Sequence, residues 1–239
     1  VDRMFIHPSS DFNIVGGARN VVHVNTKSYE FTKIGDALDW ISPAIVIATT
    51  NTSTTITSAG LFNVTLMGAI ISTAGVPPGT TVTYTDVNTM TLSAPATATA
   101  GVTATFHKAT STFLFTIMVG PGIFAETATL VIPPYVSIVG VNVTSSTVTT
   151  TANTLLSITD GISNAVSGCT FVGNSAAGSI VMSINSLSDG IIRQIRLVNA
   201  DTLFYYTSNS YLSTIAFTDV GLGGYYLHGI HLDGTGATE

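Results

Sequence analysis

The sequence predicts an all-β protein in which short strands coil into a solenoid, and the first supporting observation is the spacing of its apolar runs. Three such runs, four to seven residues long, occupy 113–119, 129–132 and 135–139. Glycine and proline separate them, and runs of this length between such residues are typical of buried strands, because a helix needs more residues and tolerates neither breaker. The links offer no Asn-Gly or Asp-Gly pair for a tight hairpin. A chain that turns the same way at each link forms a coil of strands.

The second observation is a pair of repeats that follows Gly140. One series of triplets begins at residues 156, 182, 204 and 226, with spacings of 26, 22 and 22. The other begins at residues 169, 195 and 215, with spacings of 26 and 20. Two series that share such a period are typical of stacked coils. Because side chains alternate along a strand, the outer residues of each triplet are predicted to point inward, which stacks Phe171, Leu197 and Phe217 in the core.

The first predicted coil resembles that of a known family. Its pattern is Ile-x-Val-x-Pro-Gly-x-Phe-x-Glu, followed by Ile-Pro and by Val-x-Ile-x-Gly. The residues that carry it are Ile117, Val119, Pro121, Gly122, Phe124, Glu126, Ile132, Pro133, Val136, Ile138 and Gly140. The pattern is similar to that of right-handed parallel β-helices of the pectin lyase/pectinesterase-like superfamily. The resemblance implies a right-handed parallel β-helix and says little about activity, because a fold does not carry a function.

A short amphipathic helix is predicted before the first coil. The apolar residues at helical spacing are Phe31, Ile34, Leu38 and Ile41. Thr32 is a candidate N-cap, and Pro43 ends the helix. The Phe-Thr-x-Ile-x-x-Ala-Leu pattern resembles the capping helix of pectinesterase-like and phage tailspike-like β-helices. Such a helix would cover the core and the strand edges that the open end of a solenoid exposes.

Residues 45–112 differ from the rest in composition, because Thr, Ala, Val and Gly dominate them. Runs that alternate polar and apolar residues predict strands at 54–57, 80–85 and 89–92. Residues 75–82 read Gly-Val-Pro-Pro-Gly-Thr-Thr-Val, and residues 90–93 read Met-Thr-Leu-Ser. Both segments resemble small β-modules of phage tail and bacterial surface proteins.

We therefore expect an inserted small β-domain between the helix and the coils. The predicted division is an N-terminal segment with the capping helix (1–44), the inserted domain (45–112) and the parallel β-helix coils (113–239).

Charge is scarce along the whole chain. Charged residues make up 8% of it, against ~25% in typical soluble domains, and the mean hydropathy is +0.49. We infer that much of the outer surface is buried against copies of the chain or other subunits. The net charge of −6, with only 7 Lys and Arg residues, argues against nucleic-acid binding. No apolar run approaches the roughly 18 residues of a membrane span, and the single cysteine, Cys169, is expected to be a small buried apolar residue.

An enzyme of the resembled family would need motifs that this chain lacks. Residues 200–205 read Ala-Asp-Thr-Leu-Phe-Tyr, which is similar to the family's Gln-Asp-Thr-Leu-Tyr without its glutamine. Neither an Asp-Phe-Ile-Phe-Gly nor a Leu-Gly-Arg-Pro-Trp segment occurs. We interpret Asp201 as a corner residue. Glu126 belongs to the structural first coil, so no catalytic role carries over to it, and we expect no catalytic residue.

Two other chemistries depend on carboxylates and histidines. Glycoside hydrolysis needs two carboxyl groups roughly 5–9.5 Å apart, and the acids that could provide them are Asp160, Asp189, Asp201 and Asp219. The cluster of possible metal ligands is His228, His231 and Asp233. Alternation along a strand points His228 away from the other two. We expect neither a metal nor a cofactor.

Aromatic residues and one cation are the candidate contact residues. Tyrosine on an outward strand face is favoured in sugar-binding grooves and in protein interfaces. The candidate surface, ligand or interface residues are Tyr205, Tyr211, Tyr225 and Arg196. Alternation instead predicts core positions for Tyr206 and Tyr226.

These observations suggest a non-enzymatic structural component of a virus particle, such as a tail spike, a fibre or a capsid-associated spike at the virion surface. The expected partners are copies of the chain itself, with a trimer preferred, and other virion proteins, and host polysaccharide is a further candidate. One alternative is a β-helix protein that binds or degrades polysaccharide, a depolymerase. The other is a bacterial surface adhesin. A groove with paired carboxylates and aromatic walls would favour the first alternative, and a secretion signal in the full gene would favour the second.

Overall fold

The computed structural model of the 239-residue chain describes residues 19–26, 30–159, 161–185, 187–188, 190–207 and 215–233. The chain forms two compact units. One contains Val1–Leu38 and Thr112–Glu239, and the other contains Asp39–Ser111. The predicted three-part division, with boundaries at 44/45 and 112/113, stays a prediction.

Strands dominate both units. In chain order the elements are β1 (Arg19–Val24), α1 (Ile34–Ile41), β2 (Ala44–Thr49), β3 (Thr55–Thr57), a 3₁₀ turn (Val64–Leu66), β4 (Ile70–Ser72), β5 (Val82–Asp86), β6 (Thr89–Leu92), β7 (Ala100–His107), β8 (Leu114–Val119), β9 (Gly122–Glu126), β10 (Leu130–Ile132), β11 (Val136–Gly140), β12 (Ser146–Thr150), β13 (Thr154–Ile158), β14 (Gly161–Ile162), β15 (Ala165–Ser167), β16 (Thr170–Val172), β17 (Ile180–Ile184), β18 (Leu187–Ser188), β19 (Gly190–Thr207) and β20 (Ile215–Asp233).

The first unit is a β-solenoid of parallel strands with three faces. Face A stacks β1, β8, β11, β15 and the first parts of β19 and β20. Face B stacks β9, β12, β16 and the middle parts of β19 and β20. Face C stacks β10, β13, β17 and the last parts of the same two long strands. The predicted parallel β-solenoid is confirmed, whereas membership of the pectin lyase/pectinesterase-like superfamily stays a prediction.

Inward side chains of successive coils stack in register along each face. Face A stacks Ile117, Ile138, Val166 and Ile192. Face B stacks Phe124, Val148, Phe171 and Leu197. Face C stacks Leu130, Leu156, Met182 and Phe204. All of these residues are buried, and full burial of such a side chain contributes roughly 1.5–3 kcal/mol. The ladders therefore form the core that holds the coils together.

The predicted repeats are confirmed over most of their length. The triplets at 156–158, 182–184 and 204–206 lie in register on face C, as do those at 169–171 and 195–197 on face B. Within the face C triplets the outer residues are buried and the middle one is partly exposed. Strand alternation thus places the side chains as predicted.

The last member of the face C series is wrong. The triplet at 204–206 pairs with 230–232 and not with 226–228, because Phe204 lies opposite Ile230. A spacing of 26 residues therefore separates the last two coils on this face, in place of the predicted 22.

The last member of the face B series is wrong as well. Leu197 lies opposite Leu222, so that Leu222 takes the place expected for Phe217 above Phe171 and Leu197. Phe217 lies opposite Ile192 on face A. Both errors have one cause: the last coil keeps a length of 25 to 26 residues, whereas apolar triplets of similar appearance suggested that it shortens.

Gly140, the last residue of the motif that carries the family resemblance, occupies a place where two coils approach closely. A Cβ atom at this position would overlap the main-chain oxygen of Gly168 and lie 2.6 Å from Cys169 Sγ. Only glycine fits such an approach without movement of the neighbouring main chain. The close approach of the two coils therefore explains why the motif ends in glycine.

The helix α1 begins at Ile34 and ends at Ile41, two residues before Pro43. The predicted apolar residues Ile34, Leu38 and Ile41 are buried together with Ala37. Phe31, the fourth predicted residue, lies before the helix and is partly exposed. Within the part of the chain that the structure describes, no helix has the length and apolar character that a membrane crossing requires.

The second unit is a small half-barrel. Its six strands form an antiparallel sheet in the order β4-β7-β2-β3-β6-β5. The two outer strands approach each other at one end, where Ile71 N donates to Thr80 O and Val82 N donates to Ala69 O. Its core contains the Phe62 and Phe106 rings, which pack edge to face with centroids 6.0 Å apart. The inserted small β-module that the sequence predicted is thus present.

We predict that Phe171→Ala destabilises the protein by about 3–5 kcal/mol, because it empties the centre of the face B ladder. The measurement is the free energy of unfolding from urea titration, followed by circular dichroism. Thr127→Ala, at an exposed corner, is the control and should change stability by less than about 0.5 kcal/mol. Equal unfolding curves for the two variants would contradict the assigned core.

Candidate functional site

Tyr205, a predicted contact residue, lies on an outward ladder of face C. The ladder, formed by the outward residues that stand opposite one another in successive coils, comprises Val131, Ser157, Ser183, Tyr205 and His231. The rings of Tyr205 and His231 meet edge to face, with centroids 5.0 Å apart. The next residue, Tyr206, is 7% exposed and belongs to the core, as predicted. Two aromatic rings beside two serines offer apolar and hydrogen-bonding atoms on one shallow surface, which suits contact with a sugar or a protein.

Arg196, the predicted cation, lies at the start of face B with Arg193 three residues before it. Arg193 stands opposite Ser167 and Arg196 opposite Thr170, and both arginines are exposed. They are the only Lys or Arg residues in the sequence after residue 112. Within the described residues neither side chain has an ion pair or a hydrogen bond with another side chain. A guanidinium group in this situation is available to an external carboxylate, sulfate or phosphate.

The other two predicted contact residues do not extend this surface in the described structure. Tyr211 lies outside the described residues. Tyr225 lies on β20 opposite Ala200, with a side chain that is not described. The structure thus brings Tyr205 together with His231, which the sequence did not pair with it, and places Arg196 on a different face. Whether these residues form a functional site stays a prediction.

Two carboxylates of the solenoid, Glu126 and Asp201, accept hydrogen bonds from main-chain amides. Glu126 is buried, and its Oε1 and Oε2 accept hydrogen bonds from Ile34 N at 2.8 Å and Gly35 N at 3.4 Å. These amides open α1, where the helix dipole favours a negative charge. Asp201 accepts a hydrogen bond from Gly178 N across a corner. Both carboxylates therefore have main-chain partners. Glu126, which lies on β9, caps the start of α1, the role that was expected for Thr32.

The other candidate carboxylates for glycoside hydrolysis are Asp160, Asp189 and Asp219. Asp160 and Asp189 lie outside the described residues, and the side chain of Asp219 is not described. Among the described residues no group of three or more His, Cys, Asp or Glu could hold a metal ion.

Burial is the main cause of the pKa shifts in the described part of the chain. It raises the pKa of Cys169 to about 12, which keeps this buried thiol neutral and unreactive. It also lowers the pKa of His107 and lowers that of Lys108 to about 8. The Lys108 ammonium lies 3.9 Å from the ring centre of Trp40, a contact that favours its charged form. A catalytic acid–base site combines burial with a specific charged partner, and none of these shifts has a charged partner as a cause.

An apolar cavity of about 120 Å³ lies between the last two coils of the solenoid. One coil lines it with Ile192, Ile195, Leu197 and Phe204, and the last coil lines it with Val220, Leu222 and Ile230. The lining contains no acid, base or nucleophile. This cavity was not predicted, because the apolar triplets of the sequence assigned other residues to the faces of the last coil.

Comparison with known proteins adds one distant similarity to a solved structure. No family model and no curated protein matches the chain. Among solved structures it is similar to the tailspike protein gp49 from Pseudomonas phage LKA1, with a TM-score of 0.25 and 10% sequence identity. The similarity covers 74% of this chain and 32% of that chain, so that the chain spans about a third of that tailspike's length.

We predict that Glu126→Ala lowers the free energy of unfolding by about 1–3 kcal/mol, because two amides at the start of α1 lose their buried acceptor. Glu126→Gln, which keeps an acceptor oxygen but loses the charge, should fall between the wild type and the alanine variant. Asp39→Asn removes an exposed charge from the same helix and is the control for charge alone. Wild-type stability of Glu126→Ala in urea unfolding would contradict the capping role.

Proposed function

We propose that this chain is a non-enzymatic structural component of a virus particle, such as a tail spike, a fibre or a capsid-associated spike. It acts at the virion surface as a homo-oligomer, with a trimer preferred, and its other partners are further virion proteins. The viral assignment is supported by two sequence resemblances. The capping helix resembles that of pectinesterase-like and phage tailspike-like β-helices, and residues 75–93 resemble small β-modules of phage tail and bacterial surface proteins.

The observation that carries the proposal is the apolar character of the outer surface of the solenoid. Ile123 on face B is 69% exposed, and Val131 on face C and Val141 after β11 are exposed as well. The outward ladder of face B continues from Ile123 through Thr147 and Thr170 before it reaches Arg196. A solvated monomer usually keeps roughly 25–35% of its surface charged. A surface of Ile, Val and Thr is suited instead to burial in an assembly.

The absence of an enzymatic role is proposed on the chemistry of the described residues. Glu126 and Asp201 are held by main-chain amides, and the cavity between the last coils is apolar. Glu126, Asp201 and the residues that line the cavity thus stabilise the fold, which is the role that a structural protein requires of them.

We expect the purified chain to form a discrete oligomer, because its exposed apolar side chains are more stable in contact with other copies than with water. Light scattering coupled to size-exclusion chromatography measures its mass. A mass three times that of one chain supports the preferred trimer. A stable, soluble monomer at micromolar concentration contradicts the proposal, and hydrolysis of a polysaccharide by the purified chain contradicts its non-enzymatic part.

A second candidate function is the binding of an acidic polysaccharide, and the observation that favours it is the pair Arg193 and Arg196. Both guanidinium groups are exposed at one corner, and a sugar carboxylate or sulfate is a suitable ligand for such groups. The next coil places Thr218 opposite Arg193 and Gly221 opposite Arg196.

If this second function holds, the chain binds a carboxylate-bearing tetrasaccharide of hyaluronan and not a neutral dextran oligosaccharide of the same length. The double variant R193Q/R196Q should lower the affinity at least about tenfold, since two charge-assisted contacts are lost. Lys33→Gln, which removes one exposed cation elsewhere, is the control and should leave binding unchanged. Isothermal titration calorimetry at low salt measures the affinities. Equal binding of both sugars, or no effect of the double variant, rejects this candidate.

A further inference from the structure

The inserted half-barrel is almost free of charge. Between residues 45 and 106, Asp86 is the only Asp, Glu, Lys or Arg in the sequence. Its carboxylate accepts a hydrogen bond from Asn88 N at 2.7 Å inside the β5–β6 turn. A domain of this kind has no charge pattern with which to recognise an oppositely charged partner.

Five large apolar side chains of this unit are exposed, Val46 among them, and we call the other four the apolar patch. These four are Leu61, Val64, Met67 and Val87, with exposures of 53%, 61%, 63% and 50%. Main-chain hydrogen bonds bring the segments that carry these residues side by side. Phe62 N donates to Val87 O at 3.1 Å, which brings Leu61 beside Val87.

Val64 and Met67 lie on the same segment, because Val64 begins the 3₁₀ turn and Met67 is its C-cap. Met67 N donates to Val64 O at 3.1 Å, and residues three apart in such a turn lie on the same side. Gly68 N donates to Val82 O at 2.8 Å, so that the segment follows β5 from one end to the other.

The exposure of the patch is built into the local fold. Phe62 and Leu66, which alternate with the patch residues, are buried in the core of the half-barrel. Asn63 Oδ1 accepts a hydrogen bond from Thr65 N at 3.0 Å and caps the 3₁₀ turn. Two buried anchors and a cap thus hold Leu61, Val64 and Met67 outward, where each exposes apolar surface to water.

We propose that the apolar patch is a self-association surface, which packs against the same patch of neighbouring copies around the symmetry axis of the homo-oligomer. The proposal rests on the homo-oligomer of the proposed function and adds the place of contact. A neutral apolar surface is complementary to a copy of itself, and a closed assembly presents the same patch from every copy. A lipid surface is a poorer match, because the only Lys or Arg of residues 39–111 is Lys108, which is partly buried and lies over the Trp40 ring. Copies that meet here bring their Asp86 carboxylates closer together, a repulsion that added salt screens.

The first experiment compares full-length variants by sedimentation equilibrium. The double variant V64S/M67S should raise the dissociation constant of the oligomer at least about tenfold, because it replaces two apolar contacts by hydroxyl groups. Val46→Ser is the matched control: Val46 is 62% exposed on β2 of the same unit and lies outside the patch. Raising the salt concentration should strengthen the association of the wild type.

Cross-linking provides a second test, which does not require a variant that weakens the association. Val64→Cys should form an inter-chain disulfide on mild oxidation, because symmetry-related positions near the axis come within reach of one another. Val46→Cys should not form it. The native Cys169 is buried and does not interfere.

The outcomes separate this proposal from the proposed function. An oligomer that survives V64S/M67S unchanged, or that cross-links equally through residues 46 and 64, overturns the self-association surface and leaves the homo-oligomer standing. A monomeric wild-type protein overturns both. Flotation of the wild type with neutral phosphatidylcholine vesicles, abolished in V64S/M67S, overturns the proposal in favour of a lipid surface.

Discussion

The structure of the solenoid depends on one constraint: each coil must return every strand to its place beside the corresponding strand of the previous coil. The face A ladder meets this constraint although Ile117, Ile138, Val166 and Ile192 are 21, 28 and 26 residues apart. The differences in length are absorbed at the corners, because a shift of one residue within a face would turn its apolar side chains outward. Faces are therefore regular and corners are not.

Glu126 connects the first coil to the helix that precedes it. A buried carboxylate is costly unless it has partners, and the two amides at the start of α1 provide them. The same bonds fix the start of the helix, whose apolar residues Ile34 and Leu38 are buried. The Glu126 carboxylate thus gains partners for both of its oxygens and holds the start of α1 beside the first coil, which explains its place in a motif that resembles a structural first coil.

Scarcity of charge has different consequences in the two units. In the solenoid it leaves outward ladders that consist largely of Ile, Val, Ser and Thr, on which Arg193 and Arg196 carry charge. In the half-barrel it leaves a patch of Leu, Val and Met that two buried anchors hold toward solvent. Both surfaces favour contact with other protein surfaces over solvent, as the proposed assembly requires.

The sequence by itself determined the fold class, the helix α1, the inserted β-module and most of the strand registers, because strand alternation and helical spacing are local patterns that Leu156, Met182 and Phe204 display directly. The site was less predictable: the sequence proposed Tyr205 and Arg196 separately, and the contact of Tyr205 with His231 could not be seen from it. Only the tertiary structure decided the register of the last coil, which put Ile230 and Leu222 where other apolar triplets were expected, and the partner of Glu126, which is 92 residues away in the chain. The physical reason is the same in both cases: corner lengths and long-range contacts depend on how coils close in space, and no local pattern of residues encodes that closure.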